Sequence, residues 1–177
     1  MPTKIPTPGV KRIKILYVCL GNICRSPIAE GTMEKLIKEK NLSNIISVDS
    51  AGTADYHIGN LPDRRTRQNA ENHHLILTHK CRQIHIQDFL DFDYIVAMDS
   101  NNLADIQLLS LRAFGIHQSE ESCFLLRKFD PEGNTKTSVP DPYYGDQSDF
   151  EEVFQIVNRS NEQFLDWLIE KHHFKNL

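Results

Sequence analysis

A short apolar run near the start of the sequence constrains the fold most. Residues 13–18 (IKILYV) are mostly apolar or β-branched, and residues 94–98 (YIVAM) repeat this character later in the chain. Runs of this length are typical of strands that are buried on both faces of a parallel sheet. Because parallel strands must be joined by long crossover connections, usually helices, the two runs predict an α/β fold.

The segments between these strands predict the crossover helices. Ser26 and Pro27 are expected to begin a helix that continues to about residue 40, with Ser26 capping the exposed amides and Pro27 in the first helical position. Further patterns predict a strand at 45–50, a polar helix at 62–74, a helix at 101–112, a strand at 123–128 and a long loop through Gly145. Strands and helices therefore alternate along the chain.

The last helix has the clearest pattern, because its apolar residues recur at spacings of three and four or their multiples. They are Phe150, Val153, Phe154, Val157, Phe164, Leu165 and Leu168. Together the elements predict a single three-layer α/β domain, with a four-stranded, twisted parallel sheet and helices on both faces. Ligands of such sheets bind beyond the carboxyl ends of the strands, and Cys19 lies at such an end.

The length of the chain, 177 residues, fits one globular domain. Residues 1–11 carry three prolines and a glycine but almost no apolar pattern, so they are predicted to form a flexible tail before a domain at 12–173. Four irregularly placed cysteines indicate separate thiols rather than a disulfide framework.

Charge and hydropathy exclude some kinds of partner. The net charge is -4, from 20 basic and 24 acidic side chains, which disfavours a nucleic-acid partner because it leaves no large positive surface. No apolar run approaches the ~20 residues that a membrane span needs, and the first dozen residues lack the apolar stretch of a signal peptide. We therefore expect a cytoplasmic protein that binds no membrane.

The segment that predicts chemistry is residues 19–27 (CLGNICRSP), which follows the first strand. Gly21 permits a sharp loop, and a loop of this length can point successive backbone N–H groups inward at an anion, next to the positive end of a helix. Arg25, six residues after Cys19, can grip two phosphate oxygens. The same positive environment favours the nucleophilic thiolate form of Cys19.

The spacing of Cys19 and Arg25 alone is weak support, since the chain has nine arginines. An inert buried cysteine at the end of a core strand would explain Cys19 equally well. The preceding strand, Gly21 and the Ser-Pro helix start together favour a phosphate-binding loop with a cysteine nucleophile.

The loop CLGNICRSP closely resembles the signature loop of low-molecular-weight protein tyrosine phosphatases. Further segments resemble that family in the same order: DSAGT (49–53), YHIG (56–59), HKCRQI (79–84), FDYIVAMD (92–99) and PDPYYG (140–145). The resemblance covers roughly residues 13–167, although 109–140 align poorly. It implies a flavodoxin-like, phosphotyrosine phosphatase I-like fold.

The resemblance also implies an activity. The expected enzyme is a monomer that hydrolyses phosphotyrosine in proteins, or small aryl phosphates, through a phosphocysteine and releases inorganic phosphate. It needs no metal and no cofactor. Cys19 is the implied nucleophile, Arg25 the phosphate ligand and Asp141 the general acid, which Pro140 and Pro142 keep out of a helix. Taken without the resemblance, Asp141 could instead be a capped aspartate in a surface turn.

The family pattern assigns further residues to the site. The phosphate-binding loop comprises Leu20, Gly21, Asn22, Ile23, Cys24 and Ser26, and the aromatic pocket walls are Tyr56, Tyr143 and Tyr144. Asn22, Ser26, Ser50 and His79 are implied to support the loop, and Ser26 to hydrogen-bond the thiolate. Cys24 can form a reversible disulfide with Cys19 in this family. Asp99 either pairs with Arg25 or caps the following helix, and the sequence leaves both roles open.

Other sequence features disfavour alternative functions. Arsenate reductases of the same fold use two further cysteines close together, whereas Cys81 and Cys123 are 42 positions apart. A phosphate-binding module without turnover would have no need of Asp141. His73, His74 and Cys81 match no strong zinc spacing, so no metal site is expected. No dinucleotide-binding glycine motif follows the first strand.

Overall fold

Four parallel strands form one sheet at the centre of the molecule. They are β1 (Ile13–Cys19), β2 (Ile46–Gly52), β3 (Tyr94–Ala97) and β4 (Cys123–Leu125), and their order across the sheet is β2-β1-β3-β4. The structure is a computed structural model that describes residues 11–174. The predicted tail at 1–11 lies outside the described residues except for Lys11, whose Nζ is 2.6 Å from Asp93 Oδ1.

Within residues 11–174, five α-helices connect and cover the strands. They are α1 (Arg25–Glu39), α2 (Arg64–Asn72), α3 (Asp88–Asp91), α4 (Ser100–Phe114) and α5 (Gln147–Lys171). The predicted α/β alternation is confirmed. The short helix α3 was not predicted, because four residues are too few to show a periodic pattern. The strand predicted at 123–128 was too long: it ends at Leu125, and a 3₁₀ turn (Leu126–Phe129) follows.

The sheet buries both of its faces, as the apolar runs predicted. Along β1, Ile15 and Tyr17 point to one face, where they pack in a cluster with residues of α1 and α5. Leu16 and Val18 point to the other face and pack with Ile106 of α4. These alternating contacts produce the predicted three layers, since side chains of successive strand residues point in opposite directions.

The strand order places a crevice beyond the carboxyl end of β1. The strand β1 pairs with β2 on one side and with β3 on the other, so that Cys19 lies opposite Gly52 and Val18 lies opposite Ala97. In such sheets the point where the strand order reverses is the usual place for a ligand. Cys19 is therefore at the position that the fold favours for binding.

The beginning of α1 differs from the prediction. Ser26 was expected to cap the helix, but the helix already begins at Arg25, with Cys24 before it and no side-chain cap. The Ser26 hydroxyl lies 3.0 Å from Cys19 Sγ instead. The helices α2, α4 and α5 do have side-chain caps, from Asp63, Asp99 and Asp146 respectively.

Within residues 11–174, no helix combines the length and apolar character needed to cross a membrane.

A buried hydrogen-bonded pair ties β1 to α1 and α5. The Tyr17 hydroxyl donates to Asn161 Oδ1 at 2.6 Å, and Asn161 Nδ2 donates to the Ala29 carbonyl at 3.0 Å. Both side chains are fully buried. Replacing Asn161 with alanine would leave the buried Tyr17 hydroxyl without its acceptor and would remove the contact of α5 with the Ala29 carbonyl.

We therefore expect Asn161→Ala to lower the free energy of unfolding by about 2 kcal/mol in urea denaturation. The matched control is Asn158→Ala on the same helix, because Asn158 makes only an exposed contact with Glu162; its unfolding free energy should change by less than about 0.5 kcal/mol. Equal effects of the two variants would contradict the structural role of this pair.

Candidate active site

A pocket of about 330 Å³ opens at the carboxyl end of β1. Nearly all of its lining comes from residues that the sequence singled out: Cys19, Leu20, Gly21, Ile23, Cys24, Arg25, Tyr56, Asp141, Tyr143 and Tyr144, together with His57. The other predicted site residues lie behind this lining. Asn22, Ser26 and Ser50 are buried beneath the loop, and His79 and Asp99 contact Asn22 and Arg25 respectively.

The carbonyl groups of the loop point away from the pocket. The Leu20 carbonyl accepts from Ala54 N at 2.9 Å, and the Ile23 carbonyl accepts from Asp63 N at 2.8 Å. The Asn22 carbonyl accepts from Cys81 Sγ at 2.7 Å. In a planar trans peptide the C=O and the following N–H point in opposite directions. These contacts therefore turn the amides of the following residues toward the pocket, which makes the loop a cradle for an anion.

The sulfur of Cys19 has two hydrogen-bond partners at the base of this cradle. Asn22 N donates to Cys19 Sγ at 3.3 Å, and Ser26 Oγ lies 3.0 Å away. The Ser26 hydroxyl accepts from Asn22 Nδ2 at 2.8 Å, and its own proton has two acceptors within reach, the sulfur and the Ala51 carbonyl at 3.4 Å. The amide of Asn22 is thus the donor to the sulfur whose direction the geometry fixes.

The Asn22 side chain connects the loop to several residues behind it through hydrogen bonds. Its Oδ1 accepts from Arg82 N at 3.0 Å, which fixes the orientation of the amide, and His79 Nε2 lies 2.9 Å from the same oxygen. His79 Nε2 must therefore carry the proton. Asn22 Nδ2 also donates to Ser50 Oγ at 3.0 Å. The sharp turn expected at Gly21 occurs at Asn22, which has a φ of 56°.

Gly52 lets the loop lie against the end of β2. A Cβ atom at this position would be 2.7 Å from the Leu20 carbonyl oxygen and 3.0 Å from Asn22 N. Both atoms belong to the loop backbone, which cannot move without disturbing the cradle. This close approach explains why a glycine follows Ala51 at the strand end.

Arg25 is held with its guanidinium at the side of the cradle. Its side chain is only 4% exposed, and its Nη1 donates to Asp99 Oδ2 at 2.6 Å and to the Val139 carbonyl at 3.1 Å. Burial opposes the charge, but Cys19 and the two nearby aspartates outweigh it and raise the pKa of Arg25. Asp99 has both of the roles that the sequence left open, because its Oδ1 also accepts from Asn102 N and caps α4.

Asp141 is placed over the pocket by an irregular segment, as the flanking prolines predicted. Its Oδ2 is 3.4 Å from Arg25 Nη2, and its Oδ1 accepts from Tyr143 N at 3.1 Å. The side chain is 49% exposed and therefore accessible to a ligand. Arg65 Nη1 donates to the Tyr143 carbonyl at 2.9 Å, which holds this segment against α2. Asp141 therefore caps a turn, through its contact with Tyr143 N, and also lines the pocket.

All four cysteines are free thiols. Burial raises the pKa of Cys24 and Cys123 to about 12 and that of Cys81 to about 11. Cys81 donates to the backbone of the loop and Cys123 packs under α4. Cys19 is the cysteine of the pocket whose sulfur contacts both a loop amide and the Ser26 hydroxyl.

Glu30, Asp49 and His79 are the one group among the described residues whose ligand atoms lie close enough to hold a metal ion, all within 4.8 Å of one another. Each is already engaged: Ser50 Oγ donates to Glu30 at 2.5 Å, Arg82 to Asp49 at 2.8 Å, and His79 contacts Asn22. The positive charge of Arg82 also opposes a cation here. The group is better described as support for Asn22.

Two functional contacts were not predicted from the sequence. His57 lines the pocket, and its ring would be 3.1 Å from a Cβ atom at Gly21. The sequence feature that could have indicated this place is that His57 directly follows Tyr56 in the YHIG segment. The contact of Cys81 with the Asn22 carbonyl had no signal, since it joins residues 59 positions apart.

Comparison with known proteins identifies the family. A family model described as low molecular weight phosphotyrosine protein phosphatase matches residues 14–174. The chain belongs to this family. The human low molecular weight phosphotyrosine protein phosphatase is 43% identical over 152 residues, which cover 86% of this chain and 93% of the human protein.

Solved structures of related phosphatases have the same fold. A protein tyrosine phosphatase from Entamoeba histolytica has a TM-score of 0.81 and 37% identity, covering 90% of this chain and 98% of its own. A Drosophila arginine phosphatase has a TM-score of 0.80 and 32% identity, covering 92% and 98%. The resemblance inferred from the loop and the predicted fold class are both confirmed.

The thiol environments predict selective alkylation of this low molecular weight phosphatase. At pH 6.5 a thiol of pKa 11 is less than about one part in ten thousand thiolate, and the thiolate is the reactive form. Iodoacetate should therefore modify Cys19 and leave Cys24, Cys81 and Cys123 intact, as measured by peptide mass mapping. Inorganic phosphate should protect Cys19, and Cys19→Ser should abolish labelling. Comparable labelling at Cys24 would contradict this description of the site.

Proposed function

We propose that the protein hydrolyses phosphotyrosine in proteins through a covalent phosphocysteine at Cys19, with Arg25 as the phosphate ligand and Asp141 as the general acid. The observation that carries the proposal is the position of Cys19 Sγ. It accepts a hydrogen bond from Asn22 N and contacts the Ser26 hydroxyl at the base of an amide cradle, and Arg25 and Asp141 line the same pocket.

In the first step the Cys19 thiolate attacks phosphorus, forming an S–P bond as the bond from phosphorus to the phenolic oxygen breaks. Asp141 gives its proton to the departing oxygen, so that tyrosine leaves as a neutral phenol. The inward amides and Arg25 stabilise the negative charge on the phosphoryl oxygens. The contacts of Arg25 with Asp99 and Val139 hold the guanidinium in place for this role.

In the second step water attacks the phosphocysteine. The ionised Asp141 takes a proton from the water while the S–P bond breaks, which returns the Cys19 thiolate and releases inorganic phosphate. Ser26 stabilises the departing thiolate through its hydroxyl. Neither step requires a metal ion or a cofactor.

The loop keeps its shape through the residues behind it. Asn22 makes hydrogen bonds to Ser26, Ser50 and the backbone of Arg82, and His79 contacts the same amide. The side chains of Asn22, Ser50 and His79 do not line the pocket, so we assign them positioning roles. The backbone amides of the loop, rather than its apolar side chains, bind the phosphate.

The pocket walls favour an aromatic phosphate ester. Tyr56, Tyr143 and Tyr144 are exposed side chains at the pocket, where stacking against a phenyl ring would add binding energy that phosphoserine cannot provide. One relative is named an arginine phosphatase, so phosphoarginine is a necessary comparison. Our proposal predicts that phosphotyrosine is the better substrate.

The positions of the cysteines do not favour an arsenate reductase. Cys81 contacts the backbone of the loop, whereas Cys123 packs under α4, so the two do not form the close pair that such an enzyme uses. Asp141 at the pocket argues against a binding module without turnover. We further propose that the protein acts as a cytoplasmic monomer, without a nucleic-acid or membrane partner.

The role of Asp141 predicts a dependence on the leaving group. Asp141→Ala should lower kcat for a phosphotyrosine peptide by about 10² to 10³-fold. It should lower kcat for p-nitrophenyl phosphate much less, because p-nitrophenolate needs little protonation to leave. The matched control is Asp166→Ala, which removes an aspartate of similar exposure that pairs with Lys40. Equal losses on both substrates would argue against a general acid.

The role of Cys19 predicts complete dependence on one thiol. With EDTA present, the protein should hydrolyse phosphotyrosine peptides faster than matched phosphoarginine or phosphoserine peptides, as measured by phosphate release. Cys19→Ser should abolish all turnover, whereas Cys123→Ala should retain it. Activity that survives Cys19→Ser, or that needs added metal, would overturn the proposed mechanism.

A further inference from the structure

A second groove lies beside the candidate active site. Its volume is about 540 Å³, compared with about 330 Å³ for the catalytic pocket. The two share Leu20 and Tyr56, which form the wall between them. The groove is lined by the segment after β2, the segment before α3 and the outer face of α4: Leu20, Thr53, Ala54, Asp55, Tyr56, Gln83, Ile84, Asp105, Leu108, Leu109 and Arg112.

The floor of the groove is apolar and partly exposed. Ile84 is buried beneath it, and Leu109 packs on the same cluster under α4. Leu108 and Leu20 also line the groove, and each is 42% exposed. Exposed leucines in a groove can bury an apolar side chain from a ligand.

The charges at the rim are arranged along α4. Asp55, Asp105 and Arg112 line the groove and form no ion pair with any described residue. The helix begins beside Asp99, which contacts Arg25, so Asp105 is the charged residue of α4 nearer to the phosphate site. Arg112 is seven residues further on, about 10 Å along the helix axis. The end of the groove next to the catalytic pocket is therefore acidic.

We propose that this groove binds the part of the substrate protein that flanks the phosphotyrosine, with an apolar side chain against Leu108 and a basic side chain beside Asp55 and Asp105. The inference rests on the proposed function. Its support is the shared wall, because a chain whose phosphotyrosine enters the catalytic pocket and that leaves past Leu20 or Tyr56 enters this groove directly. The acidic end nearest the phosphate matches a cation rather than an anion.

The test compares peptides of nine residues with p-nitrophenyl phosphate. In the first pair of peptides, leucine and lysine stand next to the phosphotyrosine, on its amino-terminal side in one peptide and on its carboxyl-terminal side in the other. In the second pair, alanine and glutamate take these positions. The variant is Leu108→Glu. The matched control is Leu111→Glu, because Leu111 is 39% exposed on the same helix but does not line the groove.

We expect Leu108→Glu to lower kcat/KM for one leucine-lysine peptide at least about tenfold, mainly through KM. Its kcat/KM for p-nitrophenyl phosphate should be unchanged, and Leu111→Glu should alter neither substrate. Asp105→Lys should reduce the preference for lysine over glutamate peptides by about threefold. The p-nitrophenyl phosphate rate reports the proposed function separately, so a failure of the chemistry is distinguishable from a failure of the groove.

Equal effects of Leu108→Glu and Leu111→Glu on every peptide would overturn the proposal. So would a parent enzyme without preference between the peptide pairs. If a second copy of the chain occupied the groove instead, sedimentation would show a dimer that Leu108→Glu dissociates, and that result would also count against a substrate site.

Discussion

The outward hydrogen bonding of the loop carbonyls is the constraint on which the site depends. Each carbonyl that is bound outside the loop turns the next amide inward, and the partners come from three distant segments, represented by Ala54, Asp63 and Cys81. The loop sequence can supply the thiol, the guanidinium and the helix start. It cannot hold its amides inward alone, so the anion cradle is a property of the whole fold.

The buried arginine shows how one charge connects chemistry to stability. Arg25 is nearly inaccessible, and a buried guanidinium without partners would be strongly destabilising. Asp99 supplies the compensating charge while it also caps α4, so the same carboxylate stabilises a helix and orients the phosphate ligand. The Val139 carbonyl adds a second contact, and Val139 N donates to the Met98 carbonyl at the end of β3. The segment that carries Asp141 is thereby anchored to the sheet.

Sequence reasoning succeeded where the cause is local. The runs at 13–18 and 94–98 predicted buried strands because burial on both faces leaves an apolar pattern. The prediction that Ser26 caps the helix was wrong because the helix begins one residue earlier, so that Ser26 lies inside it with its hydroxyl 3.0 Å from Cys19 Sγ. The contact of Cys81 with the Asn22 carbonyl could not be predicted, since it joins segments that only the crossovers bring together. Asn22, rather than Gly21, took the left-handed conformation because its side chain hydrogen bonds hold it there.

The site separates residues that are fixed from residues that are free to vary. Asn22 makes four side-chain contacts beneath the loop, so any other side chain there would leave several buried groups unpaired. In contrast, Tyr144 is 98% exposed, and Leu108 in the neighbouring groove contributes little to the core. Substitution of such residues changes what the enzyme contacts outside the phosphate site without moving the cradle. A phosphatase of this construction can therefore alter its substrate preference through surface residues while its chemistry stays constant.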